Sequence, residues 1–270
     1  MRIKSKFAAG VFALLALGGL GIAASPANAV TGIGVSSNTA GVAGYYANDN
    51  GHTRFRDVQA DTTVTPQIKN LNGTSNGALG VELCDPNSGY AAQLGVWWNG
   101  SQYQVVYAHG TFATARFPDP CVMSGLITNT PQTNLFTGVT INQGDSLHFE
   151  IYYSPSSHWT HVLACDTTQD ICRQQFWNDG YQQFWEAGIG AVSNANNLTA
   201  PANNLLDSFT RTSFNYYSST RAWNSINVPA HWELKEANFI NSSSQVTMSP
   251  NESLNPQGNA FSLSEGSTST

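Results

Sequence analysis

Residues 146–153 read SLHFEIYY, and the alternation in that stretch decides the fold. Leu147, Phe149, Ile151 and Tyr153 fall on one side of an extended chain, and His148, Glu150 and Tyr152 on the other. Successive side chains of a strand point to opposite faces, so the stretch is a strand with one face for a core and one for polar surroundings. Working outward, strand candidates of this kind recur in FRDVQADTTV (55–64), GALGVEL (77–83), YAAQLGVWW (90–98), YQVVYAHG (103–110) and GVTI (138–141). They continue in HVLAC (161–165), FWEAGIGAVS (184–193), LLDSFTRTSF (205–214), HWELKEANFI (231–240) and SQVTM (244–248). Asn, Gly, Pro and Ser clusters separate them, and no long segment carries apolar residues at helical spacing. The pattern predicts an all-β chain, an antiparallel two-sheet β-sandwich of jelly-roll type.

Residues 1–29 are expected to be a signal peptide. Arg2, Lys4 and Lys6 form a basic start, Phe7 to Ala24 an apolar run, and Ala27-Asn28-Ala29 a small-x-small cleavage site. The mature chain would then be residues 30–270, one sandwich domain, secreted, with no membrane segment remaining. Without the leader the chain has 8 Lys and Arg against 17 Asp and Glu, a net charge of −9. Nucleic acid is therefore not an expected partner, since a phosphate-binding face needs a basic patch. Four cysteines in an exported chain predict two disulfides among Cys84, Cys121, Cys165 and Cys172. Cys165 and Cys172 bracket CDTTQDIC and would clip a hairpin, leaving Cys84 and Cys121 to close a longer loop.

Two strands hold polar residues where a packing residue would be apolar. Within YAAQLGVWW, Ala92, Leu94, Val96 and Trp98 share one side, and Ala91, Gln93, Gly95 and Trp97 the other. In FWEAGIGAV, Trp185, Ala187, Ile189 and Ala191 are expected to face the core. Phe184, Glu186, Gly188, Gly190 and Val192 are expected on the opposite side. Gln93 and Glu186 thus lie off the core among Ala and Gly. Strand glycine marks a close approach by a ligand or by another backbone. One outcome is an ordinary solvated face; the other is a trough that admits a substrate chain.

Longer stretches resemble the eqolisins, the glutamic endopeptidases. GVELCDPNSGYAAQLGVWWNGSQY (80–103) is similar to the segment that carries the family's catalytic Gln. LFTGVTINQGDSLHFEIYY (135–153) resembles its G-[IV]-x-[IV]-x-x-GD-x-[IL] signature, and FWEAGIG falls where the family has its catalytic Glu. AGYYANDNGHTRFRDVQADTTV (43–64) resembles the opening strands and SQVTMSPNESLNPQGNAFSLS (244–264) the closing ones. The resemblance implies a monomeric acid peptidase acting on polypeptide, with Gln93 and Glu186 as catalytic residues and no cofactor or metal. It gives Glu82, Trp97 and Gly188 to substrate binding, with Glu82 standing where the family's WVGIDG has its aspartate. Tyr45 and Tyr46 replace the opening tryptophan, and Val106 and Ala108 replace cleft groups, so the substrate subsites differ.

Other chemistry finds little support. No E-x-D-x-x-E strand motif offers the paired carboxylates of a glycosidase. Glu233 and Glu236 of ELKE read as solvated charge in a loop or edge strand. Tryptophans 97, 98, 159, 177, 185 and 223 are expected mainly in the core, although coplanar exposed indoles would make a sugar platform. His158 and His161 point to opposite faces of a strand and have no third ligand at metal spacing.

Overall fold

The computed structural model describes residues 34–39, 42–48, 54–66, 68–69, 77–85, 87–111, 133–193, 205–216, 224–225, 233–240, 246–250, 254–255 and 257–265. The expected leader, Cys121 and Trp223 lie outside them. The strands are β1 (Gly34–Thr39), β2 (Val42–Asn48), β3 (Phe55–Thr63), β4 (Gly77–Asp85), β5 (Tyr90–Trp98), β6 (Tyr103–Thr111), β7 (Thr133–Asn134) and β8 (Ser146–Ser154). They continue as β9 (Trp159–Asp166), β10 (Ile171–Asn178), β11 (Glu186–Ser193), β12 (Leu205–Tyr216), β13 (Asn224–Ser225), β14 (Glu233–Ile240), β15 (Val246–Pro250) and β16 (Phe261–Glu265).

Hydrogen bonding runs β10-β9-β8-β3-β12-β16 in one layer and β14-β2-β11-β4-β5-β6-β7 in the other, with β15 linking β16 to β14. All these pairs are antiparallel; β1 adds to β14 in parallel. The layers face each other, with β3 against β4 and β8 against β4 and β5. This is the antiparallel β-sandwich that the alternation predicts.

The decisive stretch behaves as its pattern requires. Leu147, Phe149, Ile151 and Tyr153 are buried, and every intervening residue is more exposed. On β3, Val58 and Ala60 sit opposite Ile151 and Phe149, and the facing layer supplies Val81, Leu83, Leu94 and Val96 to the same core. Burial of each large side chain contributes about 1.5–3 kcal/mol.

The signature segment ends in a tied turn. Gly144 has φ +94°, a conformation glycine adopts without Cβ strain. Its N–H donates to the Val64 carbonyl (2.8 Å), and the Val64 N–H donates back to the Asp145 carbonyl (2.8 Å). The Asp145 carboxyl accepts from the Asn142 N–H (2.7 Å) and from Gln169 Nε2 (2.9 Å), which also donates to Asp166 (2.7 Å). In this chain the Gly-Asp pair ties the entry of β8 to β3 and to the β9–β10 turn.

Two expectations are corrected and one holds. GVTI forms no strand, only a single bridge from Ile141 to Tyr103. Residues 171–178 form edge strand β10, which pairs with β9 in the hairpin that Cys165 and Cys172 are expected to clip. ELKE is neither loop nor edge: Glu233 to Glu236 belong to β14, which is bonded to β2, β15 and β1.

Candidate functional site

Alternation places the candidate residues on the side of β4, β5 and β11 that faces away from the shared core. On β4, Leu79, Val81 and Leu83 enter the core, so Glu82 and Cys84 point the other way. Register then lines the three strands up. Gly188, Glu82, Gln93 and Ala108 make one row across β11, β4, β5 and β6; Glu186, Cys84 and Ala91 make the next. Gln93 and Glu186 are therefore two strands apart, and Glu82 lies between them. It is directly opposite Gln93 and diagonal to Glu186.

This face is not an ordinary solvated one. Relative exposure is 0% for Gln93, 2% for Glu82 and 7% for Glu186, and Cys84 and Ala91 form a small buried apolar cluster of their own. Gln93 Nε2 donates to Glu82 Oε2. Burial pushes the Glu82 carboxyl well above the ordinary carboxyl range; the Gln93 hydrogen bond opposes that, and the neighbouring Glu186 charge adds to it. A like charge nearby disfavours the ionised form of Glu82, in the same direction as its burial.

The glycine row beside the site answers to backbone, not to ligand. Gly44, Gly190, Gly80 and Gly95 face one another in register across β2, β11, β4 and β5. A Cβ on Gly80 would stand 2.1 Å from the Leu94 carbonyl oxygen, and one on Gly190 would stand 2.2 Å from that of Ala43. The expected trough at Gly95 and Gly190 is thus occupied by the neighbouring strands. Gly188 keeps its place opposite Glu82. Trp97 lies further along the same side of β5, half-buried, and its Nε1 has no hydrogen-bond partner among the described residues.

Alternation misplaces the entry to β11. Phe184 was expected beside Glu186 but is buried in the core, its ring 5.3 Å from Tyr153 and 6.2 Å from Tyr90. Trp185, expected in the core, lies half-buried under the Arg54 guanidinium at 4.6 Å. The strand starts only at Glu186, so the period-two rule does not reach back to these residues. Their backbone is pinned instead, the Phe184 carbonyl accepting from Phe55 N–H (2.7 Å) and the Trp185 N–H donating to the Cys84 carbonyl (2.9 Å). Phe184 thereby anchors the entry of β11 to both layers, a role no local pattern announces.

Cys165 and Cys172 are disulfide-bonded directly across the β9–β10 ladder. Cys84 is disulfide-bonded as well; Cys121, its expected partner, lies outside the described residues. Two of the exposed aromatics sit on the opposite layer, on its outer face. Trp159 (39% exposed) and Phe176 (53%) line an open depression of about 460 Å³ with Tyr152, Ser154, Ser157 and His161. Their rings are inclined at 57°, so they do not form a coplanar platform.

No family model matches the chain, and no curated protein matches it. Solved structures do. Scytalido-glutamic peptidase with a transition-state analogue inhibitor is 17% identical over 85% of this chain and 100% of that one, with a TM-score of 0.56. SCP-B, a member of the eqolisin family of peptidases in complex with the tripeptide Ala-Ile-His, is 15% identical over 83% of this chain and 99% of that one, at 0.51. At these identities the similarity establishes an eqolisin-like fold.

Proposed function

We propose that the chain is a secreted endopeptidase that works in acid, with Glu186 and Gln93 acting on a bound peptide. The observation that carries this reading is the buried line Glu186–Glu82–Gln93 on one face of an eqolisin-like sandwich. Glu186, as carboxylate, takes a proton from water while the water oxygen bonds to the scissile carbonyl carbon. Negative charge moves to the carbonyl oxygen, where the Gln93 side-chain N–H donates to it. One such donor contributes about 3–4 kcal/mol in other hydrolases. Glu186 then gives the proton to the leaving nitrogen as the C–N bond breaks. The family resemblance assigns Trp97 and Gly188 to peptide contact; the Trp97 Nε1 is buried here, so a peptide reaches it only if the ring turns.

The test is cleavage of acid-denatured protein by the purified chain, with Glu186→Gln and Gln93→Ala alongside. A second reading, a non-catalytic binding module for carbohydrate or peptide, draws on the Trp159–Phe176 depression. A wild type that binds such a ligand and cleaves nothing would favour it.

A further inference from the structure

We propose that Glu82, which the family resemblance gives to substrate contact, is instead a positioning residue that fixes the orientation of the Gln93 amide. The proposal rests on the peptidase reading above. Three observations carry it. Glu82 and Gln93 are direct cross-strand partners, their side chains are joined by the Nε2–Oε2 hydrogen bond, and both are buried. An amide's two N–H bonds are rigidly related. Holding one against Glu82 therefore fixes the direction of the other, the one assigned to the oxyanion. Without that acceptor the amide loses a buried contact that sets which of its edges faces the developing charge.

The same geometry sets the protonation state that this role needs. Among the described residues, the charged group that raises Glu82 is Glu186 of β11, and Gln93 of β5 donates to it. An ionised Glu82 would accept the amide N–H but would also repel an oxyanion forming beside Gln93. In water-poor surroundings that repulsion is poorly screened. As the neutral acid, Glu82 accepts through one oxygen and keeps its proton on the other, and Glu186 is left as the carboxylate that activates water. The two carboxyls then divide the roles of holder and base, as paired acids with unequal environments do.

The experiment compares wild type, Glu82→Gln, Glu82→Leu and Gln93→Ala on a fluorogenic peptide, with infrared difference spectra of each in the protonated-carboxyl C=O region. Glu82→Gln keeps a neutral acceptor of the same shape, so its kcat should stay within about threefold of wild type. Glu82→Leu should lose about a hundredfold in kcat with KM little changed, the scale of losing one oxyanion donor. Combined with Gln93→Ala, it should add little. The C=O band should vanish in Glu82→Gln and shift in Gln93→Ala. A loss confined to KM, or losses that multiply in the double variant, would overturn the proposal. If the wild type cleaves nothing, the peptidase reading falls by that result, and the band still decides the contact: no shift in Gln93→Ala overturns it.

Discussion

Glu82 and Gln93 stand directly opposite each other on β4 and β5, and the amide of one donates to the carboxyl of the other inside a buried face. A carboxyl in such a place ties the protein's stability to pH. Glu82 has its folded pKa raised, chiefly by burial and further by Glu186, against the opposing hydrogen bond from Gln93. The folded protein therefore keeps this proton to higher pH than the unfolded chain does. Its contribution is fully present below the ordinary value of 4.5 and is lost as pH rises through the folded value. Denaturant melts across pH should show wild type losing stability with rising pH, and Glu82→Gln should flatten that slope. An unchanged slope in the variant would show that Glu82 is not the group responsible.

His148 adds a second dependence of the same sign. Burial alone would lower its pKa, but hydrogen bonds to Asp61 and Glu150, with their charges, raise it to about 9. Its Nδ1 lies 2.6 Å from Asp61 Oδ1, and Arg211 reaches the other oxygen of Asp61 at 3.3 Å. The imidazolium's contribution is fully present below the ordinary value of 6.5 and lost as pH rises through about 9. An NMR titration of the His148 ring should find its midpoint well above 6.5, and Asp61→Asn should bring it down. A midpoint at 6.5 in wild type would contradict the ion pair.

The glycine row predicts intolerance of the smallest side chain. Gly80→Ala sets a methyl 2.1 Å from the Leu94 carbonyl oxygen, backbone that cannot rotate aside. Overpacking of this kind costs about 1–3 kcal/mol, read as a fall in the denaturation midpoint. Gly138→Ala is the control for space, since nothing lies within 4 Å of its Cβ position, although its φ of +81° adds some backbone strain. Equal, small losses in both would show that the close approach of β4 and β5 is not real.

The Cys165–Cys172 bridge should matter to stability and not to the candidate site. It closes a short loop, at a sequence separation of 7, on the opposite layer. Chain-entropy loss for such a loop amounts to about 2.5 kcal/mol. A Cys165→Ala/Cys172→Ala variant should unfold at lower denaturant and retain any cleavage activity in the folded state. Lost activity in a folded variant would mean that the two layers are coupled at the site.

How much of this was legible in the sequence follows from which forces are local. Alternation in SLHFEIYY, YAAQLGVWW and the centre of FWEAGIGAV assigns faces correctly, because a strand's period is enforced residue by residue. It fails at Phe184 and Trp185, where no ladder enforces the period and the Tyr153 and Tyr90 rings decide. ELKE reads as surface because its charges are visible and its neighbours β2 and β1 are distant in sequence. The glycines at 44, 80, 95 and 190 could be picked out as meaningful, but only the register shows that each meets another glycine. Gln93 and Glu186 could be placed on one side of their strands. That Glu82 stands between them depends on the order β11-β4-β5, which no single strand encodes.

If Glu186 and Gln93 are one chemical unit, cleavage of acid-denatured protein needs both of them. The mature chain, Glu186→Gln and Gln93→Ala would be assayed between about pH 2 and 6, a window that brackets the ordinary glutamate range. The wild type should cleave, unaffected by a metal chelator, and either substitution should abolish cleavage or cut it at least about a hundredfold. A folded wild type that cleaves nothing, or folded variants that cleave as well as it does, would contradict this.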